Sequence, residues 1–195
     1  MTEAEILSNL SPDYPWKDRF TYADTIGSTN TELKKLAPQG IPGGTVLIAG
    51  EQVGGRGRMG RSFHSPKGTG VYLSMLIRPD CRPDQIMHLT CAAAAAMVEA
   101  IEEAAGFRPS IKWTNDLVYG RQKLGGILTE LGLGAQGLDY AIIGIGINCL
   151  QEKEDFPQEL QDMAASLSMV AGISRSSGGK SSCFCRQLMP MPMMA

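Results

Sequence analysis

Apolar residues fall along this chain in short runs of strand length, interrupted by a few longer stretches with helical spacing. Phe20-Thr-Tyr-Ala-Asp24 alternates apolar and polar, which predicts a strand, and Thr45–Ala49 and Val71–Ile77 are β-branched apolar runs that predict two more. Ile111-Lys-Trp113 and Leu117-Val-Tyr119 read as short strands on either side of Thr114-Asn115-Asp116. Gly120-Arg121-Gln122 then turns the chain into a longer strand, Lys123–Leu131. Tyr140-Ala-Ile-Ile-Gly-Ile-Gly-Ile-Asn148 is apolar at almost every position, the pattern of a strand buried on both faces. Helical spacing predicts four helices. A capping box at Thr2-x-x-Glu5 opens a short one that Pro12 and Pro15 end, and Glu32–Leu36 runs until Pro38. A long helix runs from Asp84 through an alanine-rich centre to about Ala105, where Gly106 stops it, and a last one covers Gln158–Ala171.

With 195 residues, 43% of them apolar, the chain can bury one substantial core and a small appendage. A formal net charge of -2 argues against a protein that coats nucleic acid, so the positive charge that matters is local. Five scattered cysteines give no disulfide framework, and Cys183-x-Cys185 alone is too little for a zinc site, so a reducing cytoplasm is expected. No run of about 18 apolar residues and no basic segment leading an apolar core occurs, so neither a membrane span nor a signal peptide is expected. The residues before Phe20 are too few for a helix-turn-helix, and no DNA binding is expected. Beyond Ile173 the chain turns to Gly and Ser, then Met and Pro, with no period of either kind, which predicts a disordered tail over 175–195.

Chemistry concentrates in Gly54-Gly-Arg-Gly-Arg-Met-Gly-Arg-Ser-Phe-His-Ser65. Glycine lets backbone N–H groups approach an anion, and arginine offers a planar fork of donors that matches carboxylate or phosphate oxygens. Gly55-x-Gly57-x-x-Gly60 fits a dinucleotide fingerprint, and Gly55-x-x-x-x-Gly60-Arg61-Ser62 is one residue type from a P-loop. Both patterns need a following helix. Pro66, Gly68 and Gly70 followed by a strand exclude one, so the loop joins two strands and neither fingerprint applies. No acidic residue lies between Glu51 and Asp80, and like charges on a glycine-rich segment predict an open loop that orders when anions arrive. A nonspecific nucleic-acid arm is the alternative reading.

Three other places carry polar groups where ligands are often held. Ser28-Thr29-Asn30 stands at a strand-to-helix junction, where an ordinary N-cap is the simpler account. Lys123 precedes Gly125-Gly126 inside a strand, where paired glycines mark close approach of a ligand or another backbone. Asn148 ends the most apolar strand and is either a turn former or a ligand contact.

Taken together in this order, Gly-Ser-Thr-Asn30, Gly-Arg-Gly-Arg-Met-Gly-Arg61, Lys-Trp-Thr-Asn-Asp116, Lys-Leu-Gly-Gly-Ile-Leu128 and Gly-Ile-Gly-Ile-Asn148 closely resemble the catalytic domain of biotin protein ligases over about residues 20 to 172. The resemblance implies an α/β (α+β) fold, a mixed β-sheet flanked by helices and related to class II aminoacyl-tRNA synthetases. It implies an ATP-dependent ligase that makes biotinyl-5′-AMP with Mg²⁺ and passes biotin to a lysine of a biotin carboxyl carrier protein. Carried over by motif, biotin is contacted by Ser28, Thr29, Asn30, Gln52, Arg56, Gly57, Arg58, Lys123 and Gly126. The nucleotide is contacted by Arg58, Arg61, Phe63, Lys112, Asn115 and Asn148, with Asp116 on the metal. Lys123 and Arg58 are the candidate catalytic residues, since bringing a carboxylate up to a phosphate requires cations in a water-poor site.

The chain departs from the family's pattern at Thr114, where proline is usual, and at Met59, where arginine is frequent. The small β-barrel that family members carry after the last helix is expected to be missing, with residues 173–195 in its place and residues 1–19 as a lead-in. A homodimer stays open. Two other readings also remain open: a lipoate or octanoate ligase, which shares the fold and the chemistry, and a degenerate domain that binds ligand without catalysis.

Overall fold

The computed structural model describes residues 3–9, 14–80, 85–135 and 137–173. Its frame is a mixed sheet of seven strands: β1 (Phe20–Ala23), β2 (Thr45–Ala49), β3 (Gly70–Ile77), β4 (Ser110–Lys112), β5 (Asp116–Tyr119), β6 (Gln122–Gly134) and β7 (Gly137–Asn148). Their order is β1-β2-β3-β7-β6-β5-β4. Only β1 and β2 run parallel, and they are joined by a crossover through helix α2 (Thr29–Leu36), as parallel neighbours require.

Alternation along the central strands sends side chains to two faces. Val46, Ile48, Val71, Leu73, Met75, Ile127, Ile143 and Ile145 pack against α3 (Ile86–Ala105), whose Ala93, Ala94, Met97, Val98, Ala100 and Ile101 are buried with them. The alanines let the helix axis approach the sheet, and each fully buried Ile or Met stabilises the fold by about 1.5–3 kcal/mol. Leu47, Leu76, Tyr140 and Ile142 point the other way, against Leu33 of α2 and Ala37. A sheet covered on both faces needs strands that are apolar throughout, which is why β7 reads as it does. Helix α1 (Glu3–Asn9) drops Ile6 into the larger core, so the lead-in shares it. Among the described residues, no helix is long and apolar enough to cross a membrane.

The predicted strands all form, but the helix expected over Gln158–Ala171 does not. Its place is taken by a 3₁₀ turn at Gln158–Leu160, an extended stretch, and a five-residue helix α4, Leu167–Ala171. The backbone in between is claimed by the sheet. Lys123 N donates to Met163 O at 2.7 Å, Ala165 N to Lys123 O at 2.9 Å, and Ser168 N to Cys149 O at 2.9 Å. Those bonds replace intrahelical ones, and Ser166 caps the short helix by accepting from Met169 N. Tertiary pairing overrides a helical propensity worth only tenths of a kcal/mol per residue. The tail expected to be disordered, 175–195, lies outside the described residues.

Candidate active site

The strand registers assemble the floor of a cleft. Across β3, β7 and β6, Tyr72 aligns with Gly146 and Gly126, Ser74 with Gly144 and Leu128, and Leu76 with Ile142 and Glu130. These residues share the face away from α3, and the glycines leave room there for other side chains. A Cβ on Gly144 would collide with Asn30 Oδ1, and one on Gly146 would stand 2.5 Å from the Phe63 ring. At Gly126 a Cβ would sit 3.2 Å from Lys123 Nζ. Gly125 meets a neighbouring backbone instead, the carbonyl of Gly146. Of the two explanations for paired glycines, close approach of another backbone holds at Gly125, while Gly126 makes room for the Lys123 side chain.

Two cavities open on this floor. The first, about 450 Å³ with its open mouth, gathers Ser28, Thr29, Asn30, Gln52, Arg56, Gly57, Arg58, Phe63, Asn115, Lys123 and Gly126. Its wall is a hydrogen-bonded set. Gln52 Oε1 accepts from Thr29 N at 2.9 Å and from Thr29 Oγ1 at 3.1 Å, while Gln52 Nε2 donates to Ser65 Oγ at 3.0 Å. Ser74 Oγ donates to Asn30 Oδ1 at 2.5 Å and lies 2.7 Å from Thr29 Oγ1. Ser28 holds the N-cap position of α2 but makes no side-chain cap, so its buried hydroxyl remains for the cavity. The simple N-cap account therefore fails at this residue.

The second cavity, about 990 Å³ with its mouth, adjoins the first, and Lys123 and Phe63 line both. It gathers Arg61, Lys112, Asp116 and Asn148, all singled out by sequence, and adds Arg121 and His64, which were not. No ion pair engages Arg61, Lys112 or Arg121 among the described residues, so this chamber is rimmed by free cations. Lys123 Nζ lies 2.6 Å from Asp116 Oδ1, which also accepts from Asn115 Nδ2 at 3.2 Å. Asn148 is held from both ends: its Nδ2 donates to Ala165 O at 3.2 Å and its Oδ1 accepts from Gln151 at 3.4 Å. The stretch that failed to become a helix thus steadies the end of β7.

The arginine loop arches between the chambers. Gly57 N donates to Arg61 O at 2.8 Å and Phe63 N to Gly55 O at 2.9 Å, so the loop pairs with itself around a turn at Arg58–Gly60. Arg58 Nη1 donates to Thr114 Oγ1 at 2.7 Å and to Asn115 Oδ1 at 2.8 Å, and Arg56 Nη1 lies 3.3 Å from Glu130 Oε1. The loop expected to be open and unneutralised is folded, because its counter-charge and acceptors come from β6 and the β4–β5 turn rather than from nearby sequence. Just past the loop, Lys67 pairs with Asp24 at 2.5 Å, and that hydrogen bond raises its ammonium above the usual lysine range.

Fold and cleft together define an α/β domain with two adjoining polar chambers that share Lys123 and Phe63. A model of the biotin/lipoate A/B protein ligase family matches residues 22–148, and the chain belongs to that family. The bifunctional ligase/repressor BirA of Bacillus subtilis strain 168 is 42% identical over 172 residues, covering 88% of this chain and 53% of that protein. A biotin–[acetyl-CoA-carboxylase] ligase of Mycobacterium tuberculosis is 34% identical over 157 residues, 78% of this chain and 55% of that protein. The chain therefore spans about half the length of these relatives. Among solved structures, the biotin protein ligase of Aquifex aeolicus in complex with biotin and ATP aligns with a TM-score of 0.68 at 29% identity, covering 87% of this chain and 68% of that one.

Proposed function

We propose that this domain activates biotin with ATP as biotinyl-5′-AMP and transfers the biotinyl group to a lysine of a biotin carboxyl carrier protein. The observation that carries the reading is the position of Lys123, at the junction between a chamber walled by Ser28, Thr29, Asn30 and Gln52 under the loop arginines and a chamber rimmed by Arg61, Lys112 and Arg121. Ser28, Thr29, Asn30 and Gln52, with Gly57 and Gly126 keeping the walls thin, suit a cyclic urea that both donates and accepts hydrogen bonds. The apolar ring of lipoate would offer no partner to the buried Ser28 hydroxyl, which makes no side-chain cap, at a cost of about 1–3 kcal/mol.

In the first step a carboxylate oxygen attacks the α-phosphorus and the bond to pyrophosphate breaks. Two anions must meet. Lys123 and Arg58 neutralise the carboxylate and the charge developing on phosphorus, and their placement inside a cleft makes each charge count for more than in water. Phe63 covers the adenine, while Arg61, Lys112, Asn115 and Asn148 hold the nucleotide. In the second step the acceptor amine attacks the anhydride carbonyl carbon and AMP leaves, so no nucleophilic Ser or Cys of this chain is needed.

Among the described residues no three His, Cys, Asp or Glu gather as a metal cluster. Mg²⁺ fits here all the same, because it takes one or two carboxylates plus substrate phosphates, and Asp116 offers Oδ2 free of protein partners. When bound, the metal supplies charge to the phosphates. Asp116 would hold the ion through Oδ2, and Lys123 would be the cation that faces the carboxylate. The reading is tested by incubating the protein with biotin, Mg-ATP and a carrier domain and probing with avidin. Biotin on the carrier's target lysine is expected. Labelling that does not require ATP, or no labelling, would overturn it.

A further inference from the structure

We propose that Glu130 is a positioning residue that latches the arginine loop over the first chamber, a role that rests on the ligase reading for its purpose though not for its geometry. From Gly126 onward the even-numbered residues of β6 face the cleft, and Glu130 follows Gly126 and Leu128 on that face. Its side chain is only 14% exposed. Burying a carboxylate is costly unless it is paired and hydrogen-bonded, and Glu130 is both. Oε1 lies 3.3 Å from Arg56 Nη1 and 3.5 Å from Lys34 Nζ, and Oε2 accepts from Asn30 Nδ2 at 3.0 Å.

The loop's two arms both lead back to this carboxylate. The entering arm hangs on it directly through Arg56. The leaving arm is reached by a chain of contacts: Asn30 to Ser74 at 2.5 Å, Ser74 to Thr29 at 2.7 Å, Thr29 to Gln52 at 3.1 Å, Gln52 to Ser65 at 3.0 Å, and Ser65 to the Phe63 carbonyl at 3.1 Å. Of the linking side chains, Asn30, Thr29 and Gln52 line the first chamber, and Ser74 and Ser65 join them from behind its wall. Polar networks of this kind polarise one another and hold one arrangement when fully satisfied. Holding Arg56 aside has a second effect: its guanidinium is balanced by Glu130, whereas Arg58, bonded to the neutral Thr114 and Asn115, keeps its charge for the chamber.

Glu130→Gln isolates the charge, because the amide oxygen still accepts from Asn30 while the ion pairs are lost. Limited trypsin digestion of the protein without ligands should cut after Arg56 or Arg58 roughly tenfold faster in Glu130→Gln than in the parent, the scale of losing a charged hydrogen bond. Thermal unfolding monitored alongside separates loop opening from global loss of fold. In biotin-dependent ATP–pyrophosphate exchange, KM for biotin should rise roughly tenfold with kcat within about twofold. Combining Glu130→Gln with Arg56→Met should raise KM no further than Arg56→Met alone, since both remove one contact. Parental cleavage rates in Glu130→Gln, or additive effects in the double variant, would overturn the latch. If the parent shows no exchange, the ligase reading falls and the cleavage comparison still decides the latch.

Discussion

Replacing Gly144 with alanine should destabilise the domain although the backbone there permits it. Gly144 is not among the positive-φ residues, so a methyl group would ordinarily stabilise by about 0.4–1 kcal/mol through the unfolded chain. In this fold the methyl would occupy the place of Asn30 Oδ1. Asn30 is 3% exposed and is held by Ser74 at 2.5 Å, by Leu128 O at 3.3 Å and by Glu130 at 3.0 Å. Displacing its carboxamide sacrifices two neutral hydrogen bonds of about 0.5–1.5 kcal/mol each and one to a charged group of about 1.5–3 kcal/mol. With partial relaxation the net loss should be about 3 kcal/mol, which at an m-value of about 2 kcal/mol/M lowers the urea midpoint by about 1.5 M. In an Asn30→Ala background the methyl has room, and the same substitution should cost under about 0.5 kcal/mol. A neutral or stabilising Gly144→Ala in the parent, or an equal cost in both backgrounds, would refute the account of why the β7 glycines exist.

Arg58→Ala should leave the urea midpoint nearly unchanged, since the side chain is exposed, yet let the mixed anhydride escape; avidin blots of mixed bystander proteins should show broad lysine labelling, and labelling confined to the carrier would contradict this. Lys123→Gln should lower kcat/KM for exchange by about 100-fold or more through loss of the junction cation, measured by isotope exchange. Gly146→Val should push the Phe63 ring out of its seat and raise KM for ATP about tenfold with a smaller change for biotin, read from initial rates at varied nucleotide.

Much of this was legible from residue patterns because strands announce themselves by what they bury. β7, apolar from Tyr140 to Ile147, and β2 and β3 fall where the runs predict, and residue alternation already puts Gly126 and Glu130 on one face of β6. The residues singled out by motif all line the two chambers. What escaped were partners supplied across the sheet. Glu130 sits in a strand whose alternation was read, but nothing local says that Arg56 lies opposite it. Thr114 stands where the family usually has proline, and its hydroxyl accepts from Arg58, a bond proline cannot offer. The failed helix over Gln158–Ala171 has the same origin, since its backbone is paired with Lys123 and Cys149, residues far away in sequence. Arg121 carried a faint signal, a cation in the turn just before Lys123, that only the closed β5–β6 hairpin turns toward the second chamber.

The central claim is that the two chambers meet at Lys123 so that an acid in the first can attack a nucleotide in the second. ATP–pyrophosphate exchange tests it most directly, run with the purified chain and Mg²⁺ in three arms: biotin, lipoate and no acid. Exchange that requires biotin, with the other two arms at background, is the predicted result. Exchange driven by lipoate and not by biotin would contradict the assignment of the first chamber, and none in any arm would contradict activation altogether.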